Sequence, residues 1–268
     1  MAHQNRLVGA HVLIFGGTSG IGFAVANMVL SVGARVTISG SGQTKVDTKV
    51  EKLRSLYPHL PASDVAGFAV DLLDKDNLER NLRAMLDKAT ENGKRKVDHI
   101  AFTAGDAPGI GGITNMDVNN VLSAFTVRLL GPCMLAKLIA TGNYMQNAST
   151  SSITLTGGTN TQRPMPNWSV GAAVGGSLDG LTRGFAVDLA PIRVNLVHPG
   201  AIETELLKGW LGKSSPEQVD KMKKGLSLAR EFGQPEDIAE AYGWLMKDRF
   251  VSGTNVCSDG GRLLVGTE

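Results

Sequence analysis

Apolar runs of strand length alternate along this chain with longer stretches of helical period. His11-Val12-Leu13-Ile14-Phe15 reads as a buried strand and runs into a glycine-rich turn. Ile21 to Val32 then has the apolar spacing of a helix and stops at Gly33. Arg35 to Ser39 is a second strand, followed by a helix around Lys45 to Leu56. Phe68-Ala69-Val70 is a third strand, and Asn77 to Thr90 a helix with a charged outer face. His99 to Phe102, Ile153 to Thr156 and Arg193 to Val197 supply three more strands. Between these lie long helical stretches, Asn119 to Thr141 and Ser169 to Ala190. Strands that are apolar throughout, rather than alternating, are covered on both faces, which is the mark of a parallel sheet between helical layers. The pattern predicts an α/β fold, a doubly wound parallel sheet of about seven strands with helices on both faces. No linker, composition break or repeat divides residues 1–268, so one domain is expected. Residues 202–226 are helical in pattern but carry Gly and Ser214-Ser215-Pro216, and read as a mobile lobe over the site.

Composition narrows the function. The chain is 42% hydrophobic over 268 residues, enough for one large core, and its net charge is only +2. No basic run exceeds Lys94-Arg95-Lys96, so no nucleic-acid partner is expected. Met1 to Ala10 lacks the apolar centre of a signal peptide, and no stretch of about 18 apolar residues stands out, so no membrane partner is expected either. Cys133 and Cys257 lie far apart and imply neither a disulfide framework nor a metal site. These observations predict a cytoplasmic protein acting on a small molecule.

Chemistry enters at the first turn. Gly16, Gly20 and Gly22 form G-x-x-x-G-x-G between the first strand and its helix, with Thr18, Ser19 and Ile21 between them. Glycines let the backbone turn sharply and approach a pyrophosphate, and the helix start offers unpaired N–H groups and partial positive charge. This context, rather than the triplet alone, predicts a Rossmann-fold dinucleotide site. The second strand ends Ser39-Gly40-Ser41, with Lys45 close behind and no acid. An acid there would accept bonds from a ribose 2′-OH and repel a 2′-phosphate, whereas hydroxyls and a lysine can bond the phosphate. NADP(H) is the expected cofactor.

With these motifs in order, the chain resembles the short-chain dehydrogenase/reductase family over nearly its full length. Asp71, with Leu72 beside it, matches the family's adenine-contacting Asp, and Thr103-Ala104-Gly105 its Asn-Ala-Gly motif. Pro199, Gly200, Ile202 and Thr204 match the turn that fixes the nicotinamide end, and Gln234 to Ala239 and Asp259-Gly260-Gly261 match its C-terminal motifs. The resemblance implies a catalytic Ser, Tyr and Lys, in which Lys lowers the Tyr pKa and Tyr protonates the nascent alkoxide. Here the Tyr position holds Gly171, the Lys position Gly175, the Ser position Gly157 or Gly158, and the helix Asn is replaced by Arg128.

Asp106, Arg128 and Trp168 should gather where the usual groups would converge, with Asn160, Asn167, Ser169 and His198 near the same sheet end. The segment Arg163 to Ser169, with Arg128, is similar to a divergent branch that includes fungal reductase/Diels–Alderases of indole alkaloid pathways. The resemblance implies an Asp three residues before the Trp; here Met165 stands there, and Asp106 could supply the charge. Reduction of an iminium needs a hydride but no proton, which suits a site with a carboxylate and no Tyr or Lys. The expectation is an NADPH-dependent reductase of an activated substrate, an iminium or conjugated C=C or C=O, in secondary metabolism, with alkaloid biosynthesis as the setting the resemblance implies. Two alternatives stay open: a cyclase in which NADP(H) is partly structural, and a non-catalytic NADP(H)-binding protein. The resemblance also implies a homo-oligomer, tetramer or dimer, built on the two long helices, whose Gly175, Gly176, Gly180 and Gly184 would permit close packing.

Overall fold

Seven strands lie side by side in one sheet: β1 His11–Phe15, β2 Arg35–Gly40, β3 Val65–Ala69, β4 His99–Phe102, β5 Ser152–Thr156, β6 Arg193–Pro199 and β7 Asn255–Ser258. Their order is β3-β2-β1-β4-β5-β6-β7, and every neighbouring pair is parallel. The structure is a computed structural model that describes residues 4–105, 112–212 and 214–266. β1, β4, β5 and β6 are buried at every position, as their unbroken apolar runs require. Helices α1 Gly20–Ser31 and α2 Gln43–Leu56, with α9 Pro235–Lys247, cover one face. Helices α3 Leu78–Thr90, α5 Gly131–Thr141 and α6 Ser169–Asp188 cover the other. Strand order reverses at β1, between β2 and β4, which opens a crevice at the carboxyl ends of β1 and β4.

Two elements differ from the expectation. The third strand starts at Val65 and stops at Ala69, paired with Val36 to Gly40 of β2, and its Gly67 fits against Val46 and Val50 of α2 where any Cβ would clash. The stretch 119–141 is not one helix. It breaks into α4 Val118–Ala124, a π-helical turn Thr126–Leu130 and α5. Pro132 explains the break: it has no N–H to give the carbonyl of Arg128, and its ring would clash there in a regular helix. The chain widens instead, and the N–H of Leu130 donates to the Phe125 carbonyl five residues back at 3.0 Å. Residues 118–141 also contain a window of mean hydropathy 1.5, long and apolar enough to cross a membrane, contrary to the sequence expectation. Half of that window is buried within this fold. The lobe at 202–226 holds two helices, α7 Glu205–Leu211 and α8 Pro216–Leu226. Its Ser-Ser-Pro is a helix start, with Ser215 and Gln218 forming a reciprocal capping box.

One core residue gives the fold a pH dependence. His99 is 4% exposed on β4 with Nδ1 2.9 Å from the Ser152 hydroxyl. Burial, reinforced by the charges of Arg193 and Arg249, pushes its pKa from 6.5 down to about 3. Between those values the unfolded chain binds a proton that the folded chain refuses, so stability falls as pH drops below 6.5. By pH 5 the loss from this residue is about 2 kcal/mol. Thermal melts should show a lower midpoint at pH 5 than at pH 7, with a smaller drop in His99→Gln. Equal drops in both proteins would remove His99 as the cause.

Candidate active site

The turn after β1 is built by close backbone approach. Gly16 has φ +80°, and a Cβ there would lie 2.7 Å from the Ala104 nitrogen. A Cβ on Gly22 would overlap the Gly16 carbonyl oxygen and the Thr103 hydroxyl. Thr103 replaces the family's Asn and ties β4 to β1 by donating to the Phe15 carbonyl at 2.7 Å. Ser19 caps α1 without a side-chain bond, and no acid occupies the first turn, so the helix start presents unclaimed N–H groups. Beyond β2, Ser39 is fully buried and its Oγ has no hydrogen-bond partner, while Ser41 and Lys45 are exposed. At the far side, Gly200 passes so close to Asp259 that a Cβ would sit 2.7 Å from its Cα. These close-fitting glycines, the open helix start and the orphaned serine hydroxyl fit a pyrophosphate nucleotide.

Every residue expected to hold the cofactor, from Gly16 to Thr204, lines one cavity of about 810 Å³. Arg128 and Trp168 line the same cavity, as does Asn160, so the fold brings together these parts of the expected constellation. Asp106 lies outside the described residues. Asn167, Ser169 and His198 do not line the cavity.

The positions left by Ser, Tyr and Lys are occupied by other side chains. A Cβ on Gly171 would come 2.8 Å from the Trp168 ring, and one on Gly175 would overlap the Thr161 hydroxyl. A Cβ on Gly157 would lie 2.6 Å from His198 Nδ1. Gly171→Tyr and Gly175→Lys therefore cannot rebuild the usual pair unless Trp168 and Thr161 move. His198 is fully buried; the Gly158 N–H donates to its Nδ1 at 3.0 Å, which leaves Nε2–H to donate to Asp179 at 2.8 Å. The N–H groups of Gly157 and Thr159 go to the carbonyls of Val197 and Pro199. All three amides of this turn are engaged within the protein, so the turn offers no oxyanion hole.

No tyrosine lines the cavity. Tyr57, Tyr144 and Tyr242 all lie off the cavity. Tyr242 is fully buried beneath it, bonded to the Thr156 hydroxyl, and burial pushes its pKa up. Arg128 projects from the π-helical turn, and its guanidinium rests on Gly105 so closely that any Cβ at 105 would overlap it. Two residues that sequence reasoning did not single out also line the cavity. Trp210 of α7 meets Trp168 edge to face, with ring centroids 5.1 Å apart. Arg262, just past the last glycine turn, is 4% exposed. Neither carried a local signal, because their partners lie tens of residues away along the chain.

Comparison with known proteins places this architecture. A family model described as an SDR-like Rossmann domain matches residues 3–265. The short-chain dehydrogenase/reductase malC of Malbranchea aurantiaca is 39% identical over 97% of each chain. The short-chain dehydrogenase/reductase ucsE of an Acremonium species is 36% identical over 94% of this chain and 95% of its own. The solved structure of MalC reductase/Diels-Alderase superposes with a TM-score of 0.90, covering 97% of this chain and 98% of that one. With its seven parallel strands, its glycine turn and these likenesses, the chain belongs to the short-chain dehydrogenase/reductase family of oxidoreductases.

Proposed function

We propose that this protein is an NADPH-dependent reductase of an activated small molecule, an iminium or conjugated C=C or C=O, in secondary metabolism. The observation that carries the reading is that no tyrosine lines a cavity otherwise complete for a nicotinamide cofactor. The bound cofactor would supply a hydride. The α1 N-terminus and the backbone at Gly16 and Gly22 would hold its pyrophosphate, and Ser39, Ser41 and Lys45 its 2′-phosphate. Pro199, Gly200 and Thr204 would seat the nicotinamide end. Arg128 would hold a substrate oxygen by paired hydrogen bonds, Trp168 and Trp210 would face a planar ring, and Asp106 would stabilise positive charge. An iminium carbon takes the hydride and leaves a neutral amine, so no group needs to donate a proton. A conjugated substrate would take its proton from solvent.

The test is loss of NADPH absorbance with a panel of cyclic iminium ions, enones and simple ketones. Iminium ions or enones should be consumed and ketones should not; ketone reduction at a comparable rate would overturn the reading. A second reading, cyclisation with NADP(H) as a partly structural element, is favoured by the likeness to a reductase/Diels-Alderase. It would be recognised by cyclised product without NADPH loss.

Two further expectations belong to this reading. NADPH should bind at least tenfold more tightly than NADH, about 1.4 kcal/mol, and Ser41→Asp should shift the preference toward NADH. Calorimetry giving equal affinities would remove the role assigned to the acid-free end of β2. We also propose a homo-oligomer, a dimer or tetramer, with α4 and α6 at the contact. Val118 and Leu122 are 74% and 63% exposed, Val187 is 75% exposed, and a Cβ on Gly176, Gly180 or Gly184 would meet nothing within 4 Å. A monomeric mass by light scattering at micromolar concentration would reject it.

A further inference from the structure

The geometry points to Arg262 as a substrate-recognition residue, whose buried guanidinium forms a subsite for a carboxylate, or an equally charged oxygen, on the substrate. It rests on reading the cavity as the substrate site, but not on which bond is reduced. Arg262 lines the cavity beside Thr159 and Asn160, just past the end of β5. Although a cation, the residue is only 4% exposed. Its hydrogen bonds go to neutral oxygens: Thr159 Oγ1 at 2.9 Å, Asn160 Oδ1 at 2.6 Å and the Arg163 carbonyl at 2.9 Å. Among the described residues it makes no ion pair.

Its surroundings add positive charge. The Arg163 guanidinium donates to the Arg262 carbonyl at 2.6 Å. Burial, and then the Arg163 charge, both pull the Arg262 pKa down; Asp259 acts in the opposite sense. Asp259 does not close the circuit: its Oδ1 accepts from the Gly261 N–H at 2.9 Å, and its buried Oδ2 has no hydrogen-bond partner. A guanidinium taken out of water without a carboxylate is costly, and a charged ligand oxygen would complete it. The bland alternative is a staple joining the C-terminal turn to the β5–α6 loop. A staple needs the hydrogen bonds but gives no reason for the cation to border the cavity.

The experiment uses the full chain with NADPH bound and two planar probes that fit an aromatic wall, 2-naphthoate and 2-naphthylmethanol, measured by calorimetry. Neither carries an iminium or an enone, so failure of the reductase reading leaves the measurement intact. The intact protein should bind the carboxylate at least about tenfold more tightly than the alcohol, a difference expected of a charge-assisted pair. Arg262→Gln should bring the ratio near one with the alcohol's affinity unchanged, and Arg262→Lys should keep part of it. No measurable naphthoate binding, equal affinities in the intact protein, or a ratio that survives Arg262→Gln would overturn the assignment. If Arg262→Gln does not fold, the Lys variant decides it: a carboxylate-to-alcohol ratio in Arg262→Lys equal to that of the intact protein overturns the assignment.

Discussion

NADPH affinity is expected to fall by at least about 100-fold in Gly22→Val, roughly 2.7 kcal/mol, with the fold retained. The reason is local. The position faces the Gly16 carbonyl, whose carbon would lie 2.8 Å from a new Cβ, and the Thr103 hydroxyl. Neither neighbour is free to withdraw. Gly16 is held at φ +80° against Ala104, and Thr103 is bonded to the Phe15 carbonyl. A valine must therefore push the turn away from α1, which misplaces the backbone that would meet the pyrophosphate. The helix itself gains from the change, since glycine is a poorer helix former than valine. Calorimetry with NADPH, beside a melting curve of the free protein, separates the two effects. A folded Gly22→Val protein that binds within threefold of the parent would sink the cradle assignment.

Arg128→Ala should lower turnover of a substrate found by the NADPH screen about 10²- to 10³-fold, as removal of a preorganised donor does elsewhere. Arg128 sits on the one π-helical turn among the described residues, a distortion that recurs at functional sites. Its position depends on Gly105, because any Cβ there would overlap the guanidinium. Gly105→Ala should therefore reproduce part of the loss with the arginine still in place. If Arg128 acts mainly at the reacting oxygen, kcat falls more than KM rises; if it only binds, KM carries the change. Activity within threefold of the parent in Arg128→Ala would remove it from the mechanism.

The sequence made the sheet legible where burial is complete. β1, β4, β5 and β6 have no exposed position, and their apolar runs announce it. β7 escaped because Asn255 to Ser258 lies at the sheet edge, partly exposed, with only Val256 as a strong strand former. The break in the helix before Pro132 was signalled by the proline, but hydrophobic spacing continues through it and conceals the change of pitch. At the site, the glycine turn was readable from spacing, and the vacancies at Gly171 and Gly175 from the resemblance to the family. What fills those vacancies was not: a ring three residues earlier and a hydroxyl fourteen residues earlier occupy the space, and a sequence does not record volume. Arg262 was hidden for the same reason, since Thr159 lies 103 residues before it.

The loss of the Tyr and Lys also changes what holds α6 in shape. Its twenty residues include Gly171, Gly175, Gly176, Gly180 and Gly184, each costing about 0.8–1 kcal/mol of helix propensity against alanine. A segment so poor in intrinsic helicity keeps its form through tertiary contact along the Val174–Leu178–Thr182 face, which is buried. The element that frames the cavity is thus a helix by packing rather than by sequence preference. Its amide hydrogens should exchange sooner than those of the glycine-poor α9 whenever its neighbours loosen, so that opening of the site and fraying of this helix are one event.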